Sequence, residues 1–482
     1  MAFAQDEGFL GLGRFEGLEH PYRCRGCPGC PPGRSIACHA LPTAVAASSE
    51  TSPVTYDAVI VGAGPAGMAT ALALQRAGWR KLLLLERRTR EECMQGGTAL
   101  GLWTNAFCAL DALGVGQAVR LQSSRTTKVE ICRESNDKIL TTFDLTACAG
   151  GPHEFGGVLR GALVEALYDG LDVENGLEIR FGATCTSCTS ISADAAVSTA
   201  NTSNASNTSN TSNRDMVVTT ADGQVMHTSL VIGADGVNSV VARAYGAGIG
   251  KDMSTNDAGQ IAIRGIAEGK PVDDQPIRQV LGAGVRAGMY PVGQGTNELY
   301  WYVCYPSEKH EKDSGILDEA RRVLLESSGD WSTSCILDAI GRTSEARVSR
   351  NALADRWDID ALLGSGSQGN HMTIALTGDA LHPMTPNLGQ GGCCALEDAV
   401  LLAAYLPGPS ASATELRQAI AEYTQKRAKR CVKLTVRARA MGEILQSGLW
   451  PVVVARDWFI ANLFQVGGFL DHAGYDVRDE KR

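Results

Sequence analysis

The sequence predicts an α/β fold, in which a Rossmann-like domain carries an inserted antiparallel sheet and is followed by C-terminal helices. Three glycine-marked turns support this prediction, at 62–67, 233–236 and 378–392, and each comes directly after an apolar, β-like run. From about residue 258 to 306 the pattern changes to alternating, aromatic-rich runs separated by turns, which is typical of antiparallel strands. Together the three turns indicate one dinucleotide site.

The first turn has the context that a dinucleotide-binding glycine motif requires. It follows a buried strand predicted over 56–61 and opens an alanine-rich helix predicted over 65–77. Gly62 permits a tight turn, Gly64 lets the backbone approach a pyrophosphate, and Gly67 lets the helix pack closely on the strand. The helix N-terminus then directs unpaired N–H groups and a partial positive charge at the phosphates.

A second buried strand, predicted over 82–85, completes a βαβ unit. It ends at Glu86, whose carboxylate is placed to accept hydrogen bonds from ribose hydroxyls. Strand, helix, second strand and terminal acid together predict a dinucleotide ligand. This unit alone leaves NAD and FAD as alternatives.

Composition limits the class of protein further. With 482 residues, 44% hydrophobic and 20% charged, the chain can hold two or three domains with a large core. A formal net charge of -9 argues against nucleic-acid binding. No apolar run reaches the roughly 20 residues that span a bilayer, so we expect no transmembrane segment, although peripheral membrane contact stays open. The 15 cysteines are mostly scattered, which favours a reducing compartment over a disulfide framework.

Residues 1–53 differ from the rest of the chain, because they show no period that would build a core. We expect a disordered leader and interpret it as a candidate transit peptide. The spacing of Cys24, Cys27 and Cys30 leaves a zinc or iron–sulfur site as the alternative, since thiolates so spaced can reach one metal. The leader is the preferred interpretation, and no metal is predicted.

Changes in composition divide the chain into segments. A low-complexity run of Asn, Thr and Ser cannot bury apolar area and is predicted to be a surface insertion at 198–213. The predicted boundaries are 1–53 for the leader, 54–257 for the first part of the dinucleotide-binding domain, 258–345 for the substrate-binding sheet and helices, 346–410 for the second part of the dinucleotide-binding domain, and 411–482 for a C-terminal helical region.

The helix predicted over 415–446 is rich in basic side chains. We interpret them as a solvated face that offsets the acidic total of the chain, with a patch that contacts an anionic surface as the alternative. These basic residues are Lys426, Arg427, Lys429, Arg430, Lys433, Arg437 and Arg439.

Several motifs taken as a set point to one family. They are GAGPAG at 62–67, LLLLER at 82–87, Arg160 within VLRGALVEAL, GADGVNS at 233–239 and GDALHPMTPNLGQGG at 378–392. On these motifs the chain resembles the group A flavoprotein monooxygenases, the family of p-hydroxybenzoate hydroxylase, salicylate hydroxylase and zeaxanthin epoxidase. The resemblance covers roughly residues 55 to 445 and is greatest to the plant and algal branch near zeaxanthin epoxidase. It makes the predicted scaffold an FAD-binding domain with FAD and NAD(P)H as cofactors, and with the leader it suggests the chloroplast, the cytoplasm being the alternative.

The resemblance also implies roles for individual residues. Glu86 would bind the adenosine ribose, Arg160 would reach the flavin side of FAD, and Asp379 would hold the pyrophosphate–ribityl end. Asp235 would connect the FAD and NAD(P)H regions, and the family usually has an arginine where Arg87 stands. The full predicted set of cofactor-binding residues is Gly62, Gly64, Pro65, Ala66, Gly67, Glu86, Arg87, Arg160, Asp235, Gly378, Asp379, Pro386, Gly389, Gly391 and Gly392.

The segment Pro386, Gly389, Gln390 and Gly391 precedes a helix and is the predicted flavin-edge loop. Its backbone N–H groups could face the flavin N1–C2 carbonyl edge, which gains negative charge on reduction. A helix N-terminal loop without a ligand is the alternative from the loop alone. No catalytic side chain is predicted, because the flavin carries the chemistry.

The hypothesis for function is an FAD-dependent, NAD(P)H-consuming monooxygenase. It would insert one atom of molecular oxygen into a small aromatic or an alkene or isoprenoid substrate through a C4a-hydroperoxyflavin. A flavin-dependent reductase without oxygen insertion and a flavin-bound, non-catalytic sensor are the alternatives. Alternation along strands means that only about half of the candidate substrate-lining residues face the pocket; the candidates are Arg264, Met289, Tyr290, Pro291, Trp301 and Tyr302.

Overall fold

The computed structural model describes most of the chain after residue 53. The predicted leader at 1–53 and the insertion at 198–213 lie outside the described residues, so the expected disordered leader, its alternative of a metal site and the expected surface insertion stay untested. The described residues are 54–134, 137–148, 151–191, 216–269, 275–307, 315–327, 329–358, 372–464, 467 and 470–480.

Strands and helices alternate through the first half of the chain, and helices dominate its end. The strands are β1 (Thr55–Val61), β2 (Leu82–Glu86), β3 (Ala99–Trp103), β4 (Ser124–Arg125), β5 (Lys128–Arg133), β6 (Lys138–Asp144), β7 (Phe155–Leu159), β8 (Leu177–Phe181), β9 (Cys185–Ser190), β10 (Met216–Thr220), β11 (Val225–Gly233), β12 (Asn256–Ala267), β13 (Ile277–Leu281), β14 (Arg286–Val292), β15 (Glu298–Pro306), β16 (Thr343–Asp355) and β17 (Ile374–Leu376). The helices are α1 (Pro65–Arg76), α2 (Arg90–Gln95), α3 (Thr104–Ala112), α4 (Gly116–Leu121), α5 (Arg160–Asp169), α6 (Val240–Ile249), α7 (Ile316–Glu326), α8 (Cys335–Gly341), α9 (Gly391–Tyr405), α10 (Ala413–Leu445) and α11 (Trp450–Asn462).

The first sheet has the strand order β8–β2–β1–β11–β10–β9, with β17 beside β11. Strands β2, β1, β11 and β17 run parallel, so that Ile60 lies level with Leu84 on one side and with Ile232 on the other. Their near-continuous apolar sequences are buried because helices cover both faces. The carboxyl ends of β1, β11 and β17 therefore meet at one edge, where the three glycine turns begin.

The second sheet has the order β16–β12–β15–β14–β13–β5–β6 and is antiparallel except where β13 pairs with β5. It draws strands from outside the range 258–345, because β5, β6 and most of β16 also belong to it. One face packs on α7 and α8 around Trp301, Met289 and Trp331. The opposite face of β14 and β15 carries tyrosines, and it turns toward the first sheet. A small third sheet, β3–β7–β4, is formed by strands that lie between β2 and β8 in the sequence.

The prediction of a solvated basic face on α10 is wrong for Arg427 and Arg430. Arg427 is completely buried and forms ion pairs with Glu397 at 2.8 Å and Asp398 at 2.5 Å. Arg430 donates to both oxygens of Glu397, at 2.8 and 2.7 Å. The physical reason is that α10 packs on α9, whose adjacent buried acids Glu397 and Asp398 need compensating positive charge.

No helix in the described part of the chain is long and apolar enough to cross a bilayer. The longest, α10, starts at a capping box in which Ser412 and Glu415 satisfy each other's backbone N–H groups. Its buried residues recur at helical spacing from Ala413 to Gly442, and exposed residues lie between them. The helix packs on α9, on β17, on the Pro386–Leu388 turn and on α11.

Adjacent leucines on α7 test the packing of helices on the second sheet. Leu324 is fully buried, whereas Leu325 is 59% exposed. We expect Leu324→Ala to lower the free energy of unfolding by about 2–5 kcal/mol, because it leaves a cavity. Leu325→Ala should change it by less than about 0.5 kcal/mol. Urea unfolding of both variants measures the difference, and equal losses would contradict the described orientation of α7.

Candidate active site

The first glycine turn is in van der Waals contact with the end of β11. Gly62 has a φ of +101°, and a Cβ added there would lie 2.4 Å from the carbonyl oxygen of Ala234. A Cβ at Gly67 would lie 1.7 Å from the carbonyl oxygen of Gly62. Only glycine fits either position, so these two residues let the first turn and the second turn meet.

The N-terminus of α1 faces this junction without a side-chain cap. Gly64 is the N-cap residue, its side-chain position is empty, and Pro65 begins the helix. The atom nearest to a Cβ added at Gly64 is Nη2 of Arg160, 3.3 Å away. Uncapped N–H groups beside a cation form a site for an anion. The residues present therefore fit the pyrophosphate of a dinucleotide such as FAD.

Glu86 lies at the end of β2, buried beside the same turn. Its carboxylate accepts hydrogen bonds from the backbone N–H of Ala63 at 2.8 Å and of Arg88 at 2.9 Å. These bonds fix the carboxylate next to the glycine turn, at the place where the sequence predicts a ribose contact. Arg87, the next residue, is exposed.

Arg160 begins α5 and extends across the glycine turn. Its side chain packs over Gly97, where an added Cβ would lie 2.6 Å from Cδ of Arg160. Among the described residues its guanidinium makes only long hydrogen bonds, to the carbonyl oxygens of Cys93 at 3.5 Å and Gly96 at 3.4 Å. Burial lowers the pKa of this arginine. Its N–H groups are thus weakly engaged by protein, which suits contact with a negatively charged ligand.

Asp235, in the second turn, uses its carboxylate within the protein. It accepts hydrogen bonds from the hydroxyl of Ser239 and from the backbone N–H of Val240 at 2.7 Å and Val241 at 3.4 Å. Burial raises the pKa of this carboxyl group, while the hydrogen bonds oppose the increase. Asp235 therefore stabilises the start of α6, a role that the sequence analysis did not identify.

The third turn is held by a buried acid on α9. The carboxylate of Asp398 accepts a hydrogen bond from the backbone N–H of Gly378 at 2.7 Å, pairs with Nε2 of His382 at 2.7 Å, and pairs with Arg427. Burial opposes ionisation, but His382 and Arg427 hold the pKa of Asp398 down to about 2. This network fixes the backbone from which the side chain of Asp379 projects.

The three turns come together in space. A Cβ added at Gly378 would lie 3.0 Å from Cβ of Ala66 on α1, so the third turn lies directly against the first. Asp379 projects into the cleft beside the start of α9, and its Oδ1 lies 3.9 Å from a Cβ built on Gly391. The surrounding protein raises the pKa of Asp379 by desolvation.

The flavin-edge loop leads into α9, whose N-terminus, like that of α1, has no side-chain cap. Residues Pro386–Leu388 form a short 3-10 turn, Gly389 has a φ of +64°, and α9 then begins at Gly391 without a side-chain cap. Gln390 is buried, and its side-chain oxygen accepts a hydrogen bond from Asn105 at 2.8 Å. The loop is therefore fixed from both sides, with N–H groups directed toward the cleft.

A cavity of about 280 Å³ joins this loop to the second sheet. The rings along its wall form a continuous series in which neighbouring centroids are 4.7 to 6.1 Å apart. These aromatic residues are Trp103, Phe155, Tyr290, Tyr300 and Tyr302. Asp379, Pro386, Gly389, Gly391 and Gly392 line the same cavity. A flat ring system could therefore lie between the loop and the aromatic wall.

Three of the six predicted substrate-lining residues face this cavity, namely Arg264, Tyr290 and Tyr302. Met289 and Trp301 belong to the half of the candidates that does not face the cavity, because they are buried in the core on the other face of the sheet. Pro291 is not among the residues that line the cavity. Sequence reasoning missed the cavity residues Trp103, Phe155, Arg286, Tyr300, Met384 and His472. Of these residues, only Tyr300 and Arg286 could have been identified from the alternation of side chains along β14 and β15.

Comparison with known proteins places this geometry among flavoproteins. Residues 55–438 match the family described as FAD binding domain. Monooxygenase 1 of Arabidopsis thaliana is 30% identical over 442 residues, covering 87% of this chain and 98% of that protein. The aurachin C monooxygenase/isomerase of Stigmatella aurantiaca is 27% identical, covering 80% of this chain and 89% of that protein. Klebsiella pneumoniae HpxO, in a crystal structure with FAD and uric acid, has the same fold, with a TM-score of 0.67, 19% identity, and coverage of 88% of this chain and 97% of that one.

Substitution at the first turn tests whether this turn binds the dinucleotide. We expect Gly67→Ala to weaken FAD binding at least about tenfold, equivalent to about 1.4 kcal/mol, because the methyl group must displace the Gly62 carbonyl. Gly341→Ala is the control, since a Cβ there meets no atom within 4 Å. FAD titration followed by flavin fluorescence measures both. Unchanged affinity in Gly67→Ala would show that the turn does not hold the cofactor.

Removal of one charge tests the network below the third turn. Asp398→Asn removes the negative charge that Arg427 and His382 share, so we expect a loss of about 3–5 kcal/mol in the free energy of unfolding. The exposed ion pair of Asp318 with Arg321 supplies the control, since Asp318→Asn should cost less than about 1 kcal/mol. Urea unfolding near neutral pH measures both variants.

The same network has a defined pH dependence. Because the folded-state pKa of Asp398 is lowered to about 2, its stabilisation is present above its unfolded pKa of about 3.9 and is lost as pH falls through about 2. The stability difference between the native chain and Asp398→Asn should therefore shrink as pH falls below about 4. A difference that stays constant from pH 7 down to about 2 would contradict an ionised Asp398.

Proposed function

Since this chain belongs to the FAD binding domain family and is an FAD-dependent monooxygenase, we propose that it consumes NAD(P)H and molecular oxygen to place one oxygen atom on a small aromatic substrate. The observation that carries the proposal is the single cavity that the flavin-edge loop shares with the aromatic wall. FAD, when bound, would take two electrons from NAD(P)H and use them to activate molecular oxygen, so that one oxygen atom reaches the substrate and the other leaves as water. The protein would bind, orient and shield the reactants.

Each group of residues has a separate task in this proposal. The Gly62–Gly67 turn and Glu86 would hold the adenosine half of FAD, while Asp379 and the start of α9 would hold its ribityl and ring portions. The backbone N–H groups at the start of α9 would stabilise negative charge on the reduced ring, since a helix N-terminus favours an anion.

The aromatic wall would set the substrate class. Stacked and edge-to-face rings are favourable partners for another planar ring. Burial raises the pKa of Tyr290 well above its ordinary value, so its hydroxyl remains protonated and can donate a hydrogen bond to the substrate. Relatives with similar chains include a 3-hydroxybenzoate 6-hydroxylase of Klebsiella oxytoca and an FAD-dependent urate hydroxylase of Mycolicibacterium vanbaalenii.

Product analysis under heavy-isotope oxygen tests the proposal. The FAD-loaded protein is incubated with NADH or NADPH and a panel of phenols, hydroxylated aromatic acids and carotenoids. We expect an aromatic product that carries one labelled oxygen atom, with NAD(P)H consumed in equal amount. Each panel member without NAD(P)H serves as the control.

Two results would contradict the proposal. Substrate reduction without incorporation of label would indicate the reductase alternative. A bound flavin that neither NADH nor NADPH reduces, with or without the panel, would indicate a non-catalytic flavoprotein.

A further inference from the structure

Helix α11 turns its charged side chains inward and its apolar side chains outward. Its only two charged residues, Arg456 and Asp457, are buried. Arg456 donates to the backbone carbonyl oxygens of Leu445 at 2.7 Å and of Gly282 at 3.1 Å. Asp457 accepts a hydrogen bond from Nε of Arg133, on β5, at 2.8 Å. These contacts attach α11 to the end of α10 and to the second sheet, so the opposite face of the helix is left exposed.

The outward face of α11 is a patch of large apolar side chains. Trp450 is 75% exposed and Trp458 is 59% exposed. The other members of this α11 patch, each at least 42% exposed, are Leu449, Val454, Phe459 and Leu463. Soluble monomers rarely expose a contiguous apolar patch of more than a few hundred Å², and a larger one marks a docking surface for a protein or a membrane.

The chemistry of the α11 patch fits lipid better than protein. A protein–protein interface typically has a polar rim and about 10 hydrogen bonds. Between Leu449 and Leu463 the only exposed polar residue is Asn462, and its amide already donates to the carbonyl oxygen of Trp458 at 2.7 Å. Hydrocarbon needs no hydrogen-bond partner, and tryptophan side chains favour the boundary between lipid and water.

Exposed basic side chains lie on the neighbouring helix α10, which packs on α11. Unlike Arg427 and Arg430, Lys429 and Lys433 are exposed, and neither forms an ion pair with a described residue. Lysines next to an apolar interfacial helix complement the negative surface potential of anionic phospholipids. These two lysines therefore fit the alternative interpretation of the basic residues of α10, as a patch that contacts an anionic surface.

The α11 patch also continues into the apolar wall of the substrate cavity. Phe464, which follows the patch directly, contacts Phe143 with ring centroids 6.3 Å apart. Phe143 in turn packs on the cluster that contains Phe155 and Leu470, and both of these residues line the cavity. An unbroken series of apolar contacts thus connects α11 with the cavity.

We propose that α11 docks this protein on an anionic phospholipid membrane, with the α11 patch inserted at the boundary between headgroups and acyl chains. The helix has 13 residues and is about 20 Å long, so it lies in the interface and does not cross the roughly 30 Å hydrocarbon core. Lys429 and Lys433 add attraction to the headgroups. The inference does not depend on the proposed function, because it concerns a surface and not the reaction.

Co-sedimentation with vesicles tests the docking surface. The full-length, FAD-loaded protein is mixed with vesicles of phosphatidylcholine and phosphatidylserine, and the bound fraction is measured against lipid concentration. We expect the native protein to bind, and the double variant Trp450→Ser/Trp458→Ser to bind at least about tenfold more weakly, because two aromatic side chains no longer leave water. Trp357→Ser, which removes an exposed tryptophan outside α11, should bind like the native protein. Retained FAD shows that each variant is folded.

Two further measurements examine how α11 docks. Lipids brominated on their acyl chains should quench the tryptophan fluorescence of the native protein, and this quenching should be largely lost in the double variant. Vesicles of phosphatidylcholine alone should bind the native protein more weakly, since they lack the net negative charge that Lys429 and Lys433 would contact.

Several outcomes overturn the inference. They are absence of vesicle binding by the native protein, equal binding by the double variant, and equal affinity for vesicles with and without phosphatidylserine. Light scattering that shows a dimer in the native protein and a monomer in the double variant, without vesicle binding, would assign the α11 patch to a second copy of the chain. Failure of the proposed function is detected separately, as absence of labelled oxygen in every product, and leaves vesicle binding unaffected.

Discussion

The backbone contact between the Gly62–Gly67 turn and Ala234 sets the distance on which the site depends. Because two Cβ atoms are absent there, the end of β1, the start of α1 and the end of β11 lie closer than other residues would allow. The third turn then packs on α1 through Gly378 and Ala66. Glu86, Arg160 and Asp379 reach one cleft as a consequence of this approach, although they come from distant parts of the chain.

Buried charge is used in two different ways around this cleft. Below the third turn, Asp398 joins His382, Arg427 and the backbone of Gly378, so every charge has a partner and the backbone of the turn is fixed. In the substrate cavity, Arg286 has two nitrogens without a hydrogen-bond partner among the described residues. The paired network is typical of a structural role, because satisfied polar groups rigidify a core.

The sequence predicted the parts of the site that depend on local backbone rules. The glycine motif, its strand and helix, Glu86 and the loop before α9 follow from turn geometry and helix termini, which are set within a few residues. The direction of the side chains of Met289 and Tyr290 was not predictable, because alternation leaves open which face α7 and α8 cover. Arg427 looked solvated because its partners lie on another helix. Trp103 and Phe155 reach the cavity only through pairing of β3 with β7, a contact between distant segments.

Comparison of FAD with FMN as ligands of the purified protein tests the central claim most directly. If the glycine turn and Glu86 hold the adenosine half of the cofactor, FAD should bind with a Kd of about 1 μM or lower, and FMN should bind at least about a hundredfold more weakly. Equal affinities would contradict the assignment of that half to the turn. A folded protein that stays colourless with excess FAD would contradict the whole account.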